Sequence, residues 1–513
     1  MDVCVIKHQS IMESIFGKEE NQMEREEKPP IVLDGGSLSL EDLWDVVYDR
    51  RKVEIAEDAC IRVKAARQVL FDLAAEGKPV YGLNHGVGWN KDREFGTEFF
   101  QQYNRNLINS HTVGVEPMCT AEEVRAMMCI RLNTALCGCT GISLHILEMY
   151  REFLNRGIHP QVFRRGALGE GDVSTLPAVG QAIIGQGEVE YHGKIVPAAE
   201  ALAAEGMQPA VPGPKDGLSI VSSNAQGESL VTLLAKETED LITVAGAVFC
   251  LRLEGLHGGI APLDPVVNEK RGLPGQIRCA AECLHFLEGS YLHEPDGGRA
   301  LQDPLSFRCA AAIHGSARDC LDYVERYLEL QINRTDDNPC IIPEEHRTSV
   351  SPKFETMTLS LGVDMLASAI AHLTAASMHR IIKLESPEFS GLPRLLTPDD
   401  GRVICFSAYQ KTISAQNAEN RWLANVTTLD ISPVAGNIED HASNLPLAAM
   451  RSLKMLDNFR YMLAIELIPG AQAADFRTIV PFLDQDRSLS LDTKKAYEYI
   501  RSGRMLETIR AAE

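Results

Sequence analysis

Residues 166–180 read GALGEGDVSTLPAVG, and the tetrapeptide GEGD at 169–172 decides how the whole chain is interpreted. Its second residue, Glu170, stands between two glycines, and Asp172 follows the second glycine. A glutamate side chain carries no β-hydroxyl group, so it cannot lose water to leave an unsaturated, electrophilic carbon. The tetrapeptide therefore cannot build an electrophile from its own atoms.

Several other short blocks accompany this tetrapeptide. They read VYGLNHGVG at 80–88, NLINSHTVG at 106–114, LQDPLSFRC at 301–309, RTDDNPCI at 334–341 and NIEDHAS at 437–443. Taken in this order, the blocks resemble those of the aromatic amino acid lyase family, which includes the histidine and phenylalanine ammonia-lyases. The resemblance spans roughly residues 35–480.

The resemblance implies a mainly α, histidine ammonia-lyase-like fold, with a long-helix central bundle and a loop-rich N-terminal catalytic domain. In the family, an Ala-Ser-Gly tripeptide cyclises to a methylidene-imidazolone, which lets a primary amine leave. The matching positions here are Gly169, Glu170 and Gly171, and Ser222 replaces the asparagine that contacts that group. Either the chain is inactive, or its substrate does not need the electrophile.

The glycine-rich block at 80–88 carries the candidate base. By resemblance, Tyr81 is the general base, and Asn84 and His111 are candidate substrate-binding residues. A phenolate can take a carbon-bound proton if its pKa, about 10 when unperturbed, is lowered by cations or donors. Outside such a motif, a lone tyrosine is usually a half-buried core residue, and a lone histidine is usually satisfied by its neighbours.

The block at 301–309 supplies a candidate anion site. Its Arg308 matches the family's arginine, and a planar guanidinium suits bidentate binding of a substrate carboxylate. Gln302 is a further candidate substrate-binding residue. Leu305 stands where the family has a tyrosine, so proton transfer must differ from that of an ammonia-lyase. A surface ion pair is the alternative role for Arg308.

Two charged residues suggest an imidazole ring as substrate. Glu439 matches the glutamate that faces the imidazole in histidine lyases, and Lys411 replaces an uncharged residue of the family on a predicted buried helix. A buried lysine is costly unless it is paired, and Glu439 is the expected partner. The alternatives are a solvated carboxylate at a helix start and a lysine that reaches solvent along its stem.

Three further residues are open candidates. Lys353 and Glu355 replace an asparagine and a histidine of the family, and either lies in the site or forms part of the surface. Trp89 could offer a ring face to a cation, although a core role is equally compatible with the sequence.

The missing electrophile restricts the substrate. A quaternary ammonium has no N–H for the base to remove, and it leaves as a neutral tertiary amine. Ergothioneine, a histidine betaine with a 2-thione ring, combines this group with an imidazole and a sulfur that Lys411 could hold. The resemblance thus implies elimination of trimethylamine to give thiourocanate, with Tyr81, Lys411 and Glu439 as catalytic residues and Arg308 on the carboxylate. No organic cofactor or metal is implied.

Two other functions remain open at this stage. The first is a lyase acting on another imidazole betaine or amino acid. The second is a non-catalytic amino-acid-binding protein, a lyase that has lost its activity. Loss of activity predicts loss of the base, but Tyr81 is retained.

Composition limits the partners and the compartment. The chain has 513 residues and a net charge of −21, which disfavours binding to nucleic acid or anionic membranes. Its 13 cysteines contain no pair of CxxC motifs, so reduced thiols are expected, with a structural zinc site as the weak alternative. The N-terminus has no cleavable apolar core. We expect a cytoplasmic enzyme.

The pattern along the chain divides it into an N-terminal arm (1–30), a loop-rich domain (31–225) and a helical-bundle domain (226–513). Residues 79–115 are predicted as a long functional loop and 188–197 as a hairpin. Apolar periodicity predicts helices at about 227–253, 305–331, 355–384, 408–428, 440–468 and 488–511. The family builds each site from three subunits of a tetramer, so a homotetramer is expected.

Overall fold

The computed structural model of the protein describes residues 28–296, 298–399, 402–429, 431–478 and 488–511. The predicted N-terminal arm, 1–30, lies outside the described residues except for its last three positions. In the described part, helices dominate and strands are short, which confirms the predicted mainly α fold.

The helices follow one another along the whole described chain. They are α1 (Leu40–Tyr48), α2 (Glu57–Ala75), α3 (Phe100–His111), α4 (Ala121–Leu136), α5 (Leu144–Arg156), α6 (Pro177–Ile183), α7 (Ala198–Ala204), α8 (Asp216–Val221), α9 (Ala225–Leu256), α10 (Pro265–Arg271), α11 (Pro274–Phe286), α12 (Leu305–Arg308), α13 (Ala310–Ile332), α14 (Met357–Leu384), α15 (Pro387–Ser390), α16 (Tyr409–Leu423), α17 (Leu445–Thr478), α18 (Ser490–Arg501) and α19 (Arg504–Ala511).

The strands form small sheets at the edges of the helical body. They are β1 (Ile31–Leu33), β2 (Val53–Ile55), β3 (Val115–Met118), β4 (Ile158–Pro160), β5 (Phe163–Arg165), β6 (Glu188–Tyr191), β7 (Lys194–Pro197), β8 (Cys340–Ile342) and β9 (Arg347–Ser349). β1 and β2 pair in parallel, and the other pairings are antiparallel: β3 with β5, β4 with β6, β6 with β7, and β8 with β9. The β6–β7 pair confirms the predicted hairpin.

Four long helices, α9, α13, α14 and α17, pack against one another and form the central bundle. Helix α9 is buried nearly all round, because apolar side chains occupy most of its faces. A buried ion pair joins α14 to α17, with 2.6 Å between Arg380 Nε and Glu466 Oε1. By length and composition alone, α14 could cross a membrane, but 67% of its most apolar window is buried inside the protein.

Local signals in the sequence explain where several helices begin. Ser39 caps α1 by accepting a hydrogen bond from the Asp42 N–H. Thr120 and Glu123 form a capping box at the start of α4. Both caps satisfy N–H groups that the first turn of a helix leaves without a partner.

Two sequence interpretations were wrong in detail. The segment 79–115 is not loop throughout, because it contains helix α3, which buries Phe100, Asn104, Leu107 and Ile108. The other residues of α3 are polar and no side chain caps it, so its signal in the sequence is weak. Helices α10 and α11, which begin at prolines, were not predicted at all.

Candidate active site

The segment 168–172, here called the slot loop, is held in place by its backbone. Ser443 Oγ donates a hydrogen bond of 2.8 Å to the Gly169 carbonyl, and the Asn444 N–H donates to the Leu168 carbonyl at 2.7 Å. Gly169 has a φ of +75°, and a Cβ there would come within 2.3 Å of Ser443 Oγ. Only glycine allows this close approach, so Gly169 lets the slot loop pack against residues 443–444.

The other end of the slot loop is anchored to the start of α9. The Ser223 N–H donates to the Gly171 carbonyl at 2.8 Å, and the Gly227 N–H donates to Asp172 Oδ2 at 2.9 Å. Burial raises the pKa of Asp172 to about 7, although the hydrogen bond from Gly227 opposes the increase. Ser222 lies beside Gly171, as the sequence comparison predicts, since a Cβ on that glycine would be 3.0 Å from Ser222 Oγ.

Glu170 occupies the centre of the slot loop and is half-buried. Its backbone pairs antiparallel with that of Glu355 through an isolated bridge. Burial raises the pKa of the Glu170 carboxyl to about 7, and the charges of Glu439 and Glu355 add to this increase. Three carboxylates from distant parts of the sequence thus lie near one another.

Tyr81 lies in the glycine loop, residues 80–90, and its hydroxyl accepts a hydrogen bond of 2.7 Å from the Gly88 N–H. Burial raises the pKa of Tyr81; the Gly88 hydrogen bond lowers it, and the charges of Glu439 and Asp337 raise it further. A phenol acting as a base would need cations or hydrogen-bond donors nearby to lower its pKa. Among the described residues, the charged groups that act on it are both carboxylates.

Glu439 lies beside Tyr81 rather than at the start of a helix. A Cβ on Gly88 would be 3.4 Å from Glu439 Oε1, so the carboxylate rests against the glycine loop. The Glu439 segment is closed by a hydrogen bond of 2.8 Å from the Val434 N–H to the Glu439 carbonyl. Trp89 packs over Gly436 in the same segment, where a Cβ would be 2.7 Å from the indole, but 76% of its surface is exposed.

Asn84 has a structural role in the glycine loop. Its Oδ1 accepts from the Val80 N–H at 2.7 Å, and its Nδ2 donates to the Lys78 carbonyl at 3.0 Å. His111 ends α3, where its Nδ1 lies 2.9 Å from the Leu107 carbonyl oxygen of the preceding turn. These contacts occupy the Asn84 amide and one His111 ring nitrogen, and their predicted contact with substrate stays a prediction.

Arg308 and Gln302 lie on the surface, where Arg308 Nη1 donates to Gln302 Oε1. In the described part of the chain, neither side chain hydrogen-bonds to Tyr81, Glu439 or Glu170. Leu301 and Leu305 beside them are 100% and 59% exposed. The predicted contact of Arg308 and Gln302 with substrate stays a prediction.

The interpretation of Lys411 as a buried lysine was wrong for the single chain. Helix α16 buries Tyr409, Ile413, Asn417 and Asn420, whose spacing defines one face, and Lys411 lies outside that face and is exposed. No ion pair within 4 Å joins Lys411 to Glu439 or to any other described residue. Its pairing with Glu439 stays a prediction.

The structure distinguishes Lys353 from Glu355. Lys353 is exposed and its Nζ donates to Cys340 Sγ at 2.8 Å. Glu355 joins the carboxylates at the slot loop, where its Oε2 lies 2.5 Å from His441 Nε2 and its Oε1 accepts from the Met357 N–H at 2.6 Å. Glu355 therefore lies in the candidate site, and the Lys353 amine contacts a thiol.

Sequence reasoning missed two supports of the site. Ser443 ends its sequence block with no predicted role, yet its hydroxyl joins the slot loop to Thr356 as well, at 2.6 Å. Asp336 and Asp337 are buried; the charge of Asp337 acts on Tyr81, and Asp336 pairs with Arg131 at 2.9 Å. Adjacent aspartates before an X-Pro pair in an apolar region could have indicated such a buried ionic network.

This arrangement can perform proton transfer and bind a cation. A phenol with one backbone donor lies next to Glu439, and Glu439 acts electrostatically on Glu170 in the slot loop. The charges that act on Tyr81 and Glu170 are those of the carboxylates Glu439, Asp337 and Glu355. A positively charged substrate would compensate them and would lower the pKa of the phenol.

Comparison with known proteins agrees with this geometry. A model of the family described as aromatic amino acid lyase matches residues 38–502. The histidine ammonia-lyase of Myxococcus xanthus (strain DK1622) is 33% identical over 504 residues, covering 94% of this chain and 99% of that protein.

Solved structures share the fold. The ergothioneine-degrading enzyme ergothionase from Treponema denticola, crystallised in complex with desmethyl-ergothioneine sulfonic acid, has a TM-score of 0.90 and 49% identity, covering 93% of this chain and 99% of that chain. Histidine ammonia-lyase from Trypanosoma cruzi has a TM-score of 0.84 at 24% identity, covering 94% and 95%. The second match shows the fold alone.

Proposed function

The chain belongs to the aromatic amino acid lyase family, as the sequence blocks predict, and from this we propose that it eliminates trimethylamine from ergothioneine to give thiourocanate without a prosthetic electrophile. Membership in the family supports a carbon–nitrogen lyase of this fold. The choice of ergothioneine as the substrate is our proposal.

One observation supports it most directly. The slot loop, which in the family supplies the electrophile, places the carboxylate of Glu170 beside Glu439, and Glu439 lies beside Tyr81. A site with a base, no electrophile and three neighbouring carboxylates suits a substrate whose amine is permanently cationic. The similarity to an ergothionase at 49% identity supports the same substrate class.

The proposed reaction is an α,β-elimination. The Tyr81 phenolate takes the β-proton, the C–H electron pair forms the double bond, and the α-carbon–nitrogen bond breaks. The nitrogen keeps that bonding pair and leaves as neutral trimethylamine, while the proton remains on Tyr81 until solvent or buffer takes it. Glu439 accepts a hydrogen bond from a ring N–H, and Lys411 stabilises negative charge on the sulfur.

The positions of Arg308 and Lys411 support a site shared between subunits. Among the described residues, neither side chain hydrogen-bonds to Tyr81 or Glu439, and exposed Leu301 and Leu305 adjoin Arg308. We propose a homotetramer in which neighbouring subunits bring these cations to Tyr81, where they would lower the raised pKa of the phenol. We also propose a cytoplasmic location, which the absence of a disulfide among the described cysteines supports.

Ultraviolet detection of thiourocanate, together with trimethylamine release from ergothioneine, tests the function. The wild-type protein should form both products in equal amounts, and Tyr81→Phe should lose about 100- to 10,000-fold in kcat, the usual contribution of a general base. Tyr103→Phe is the matched control, because this tyrosine neighbours Tyr81 but is not assigned a proton. Full activity of Tyr81→Phe would exclude the assigned base.

The competing functions are tested with the same protein. Release of ammonia from histidine would indicate a histidine ammonia-lyase-like activity. Trimethylamine release from plain histidine betaine at the same rate as from ergothioneine would contradict the role proposed for Lys411. A protein that binds these compounds but catalyses no β-proton exchange would be a binding protein.

Mixing two inactive variants tests the shared site. Tyr81→Phe and Arg308→Ala tetramers, dissociated together and reassembled, should regain activity, since some sites then contain both native residues. A mixture as inactive as its components would show that one subunit supplies both residues.

A further inference from the structure

The position of the Glu170 side chain is fixed by contacts on both sides. Gly169 is bound through its carbonyl by Ser443, and Gly171 is bound through its carbonyl by the Ser223 N–H. Between them, the Glu170 backbone is paired with Glu355. The carboxylate therefore projects from a fixed point on the slot loop.

Glu170 differs from the neighbouring Glu355 in lacking a partner. Glu355 is bound by His441 and by the Met357 N–H. Within the described ranges, the Glu170 carboxylate has no hydrogen bond and no ion pair, and the nearest charges that act on it are those of Glu439 and Glu355. A half-buried carboxylate among like charges is unfavourable unless a cation joins it.

The connectivity of the substrate brings its cation to this part of the site. The proton and the departing nitrogen are on adjacent carbons, so the nitrogen lies only a few bond lengths from the atom on which the base acts. Glu439, beside Tyr81, is placed for the ring, and Glu170 is the next carboxylate along the site. We propose that Glu170 is the specificity-determining residue that binds the substrate's trimethylammonium group, an inference that rests on the proposed function.

The chemistry of the group agrees with a carboxylate partner. A trimethylammonium nitrogen has no N–H, so it is recognised by charge rather than by hydrogen bonds. When the carbon–nitrogen bond breaks, the nitrogen becomes neutral and its attraction to Glu170 disappears, which favours release of the amine. Because the contact exists mainly before bond cleavage, its loss should raise KM more than it lowers kcat.

Two inhibitors separate this role from a general effect. Tetramethylammonium carries only the cation, and thiourocanate carries the ring and carboxylate without it. In Glu170→Gln the inhibition constant of tetramethylammonium should rise about 10- to 100-fold, while that of thiourocanate changes less than about twofold. Glu188→Gln on strand β6, an exposed glutamate outside the site, is the control and should change neither constant.

Calorimetry of the wild-type protein provides a second measurement. Because the pKa of Glu170 is about 7, tetramethylammonium binding at pH 7 should displace its proton, and buffers of different ionisation enthalpy should report that release. Glu170→Asp, which keeps the charge, should retain this release even if Glu170→Gln folds poorly.

Two results would overturn the assignment: unchanged tetramethylammonium inhibition in Glu170→Gln, or no binding of this cation by the wild-type protein. The second result, measured by calorimetry, does not depend on turnover. If ergothioneine is not a substrate, the absence of thiourocanate shows it separately, and calorimetry with tetramethylammonium still decides whether Glu170 binds quaternary ammonium.

Discussion

Replacing Ser443 by alanine should both destabilise the protein and impair the site. The Ser443 hydroxyl is fully buried, donates to the Gly169 carbonyl at 2.8 Å and lies 2.6 Å from Thr356 Oγ1. Alanine removes both hydrogen bonds and leaves buried polar partners unsatisfied, at about 1–3 kcal/mol each. We expect the free energy of unfolding to fall by about 2–4 kcal/mol.

The catalytic consequence follows from the connection of Gly169 to Glu170. With the slot loop released from residues 443–444, kcat/KM for trimethylamine release should fall by at least about tenfold, the equivalent of about 1.4 kcal/mol. Urea denaturation and initial-rate kinetics measure the two effects. Ser316→Ala is the matched control, since that exposed serine donates only to the Ala312 carbonyl within its own helix.

A particular combination of results would refute this reasoning. If Ser443→Ala and Ser316→Ala have the same unfolding free energy within about 0.5 kcal/mol and the same kcat/KM, the Ser443 hydroxyl does not hold the slot loop.

Three further changes have defined outcomes. The pKa of Asp172 is about 7 in the folded chain, above its ordinary 3.8, so the folded state keeps a proton that the unfolded chain releases. The free energy of unfolding should therefore fall as pH rises from about 4 to about 7. Urea denaturation across that pH range should show a flatter slope for Asp172→Asn. Arg308→Lys should raise KM for ergothioneine by at least about tenfold through loss of bidentate contact, and an unchanged KM would exclude carboxylate binding by Arg308. Glu466→Gln, which leaves buried Arg380 without its countercharge, should lower the free energy of unfolding by about 3–5 kcal/mol, and a loss below 1 kcal/mol would contradict a buried pair.

The fold and the convergence of several site residues could be predicted from the sequence. Tyr81, Glu439 and Glu170 are far apart along the chain, yet the blocks that contain them come together in the structure as their order implies. The glycines of these blocks are informative because the backbone requires them: Gly169 approaches Ser443 too closely for any side chain.

The remaining features depend on tertiary contacts that a linear pattern does not encode. The resemblance predicts a buried helix around Lys411, but the face that α16 buries is set by its neighbours in space. Helix α3 was missed because half of it is polar and faces solvent. The partners of Ser443 lie in segments hundreds of residues away or at the start of α14, so no local signal reveals them.

The contact between Gly169 and Ser443 also bears on whether this tetrapeptide could be converted into one that forms the electrophile. Changing Glu170 to serine would restore a dehydratable side chain, but the family's tripeptide begins with alanine. At position 169 a methyl group would lie 2.3 Å from Ser443 Oγ and 2.8 Å from the Leu445 nitrogen, at a φ of +75°. The second clash involves main chain, which a rotamer change cannot relieve. Forming the family's tripeptide would thus require the turn before α17 to be rebuilt as well, so substitution of Glu170 alone does not suffice.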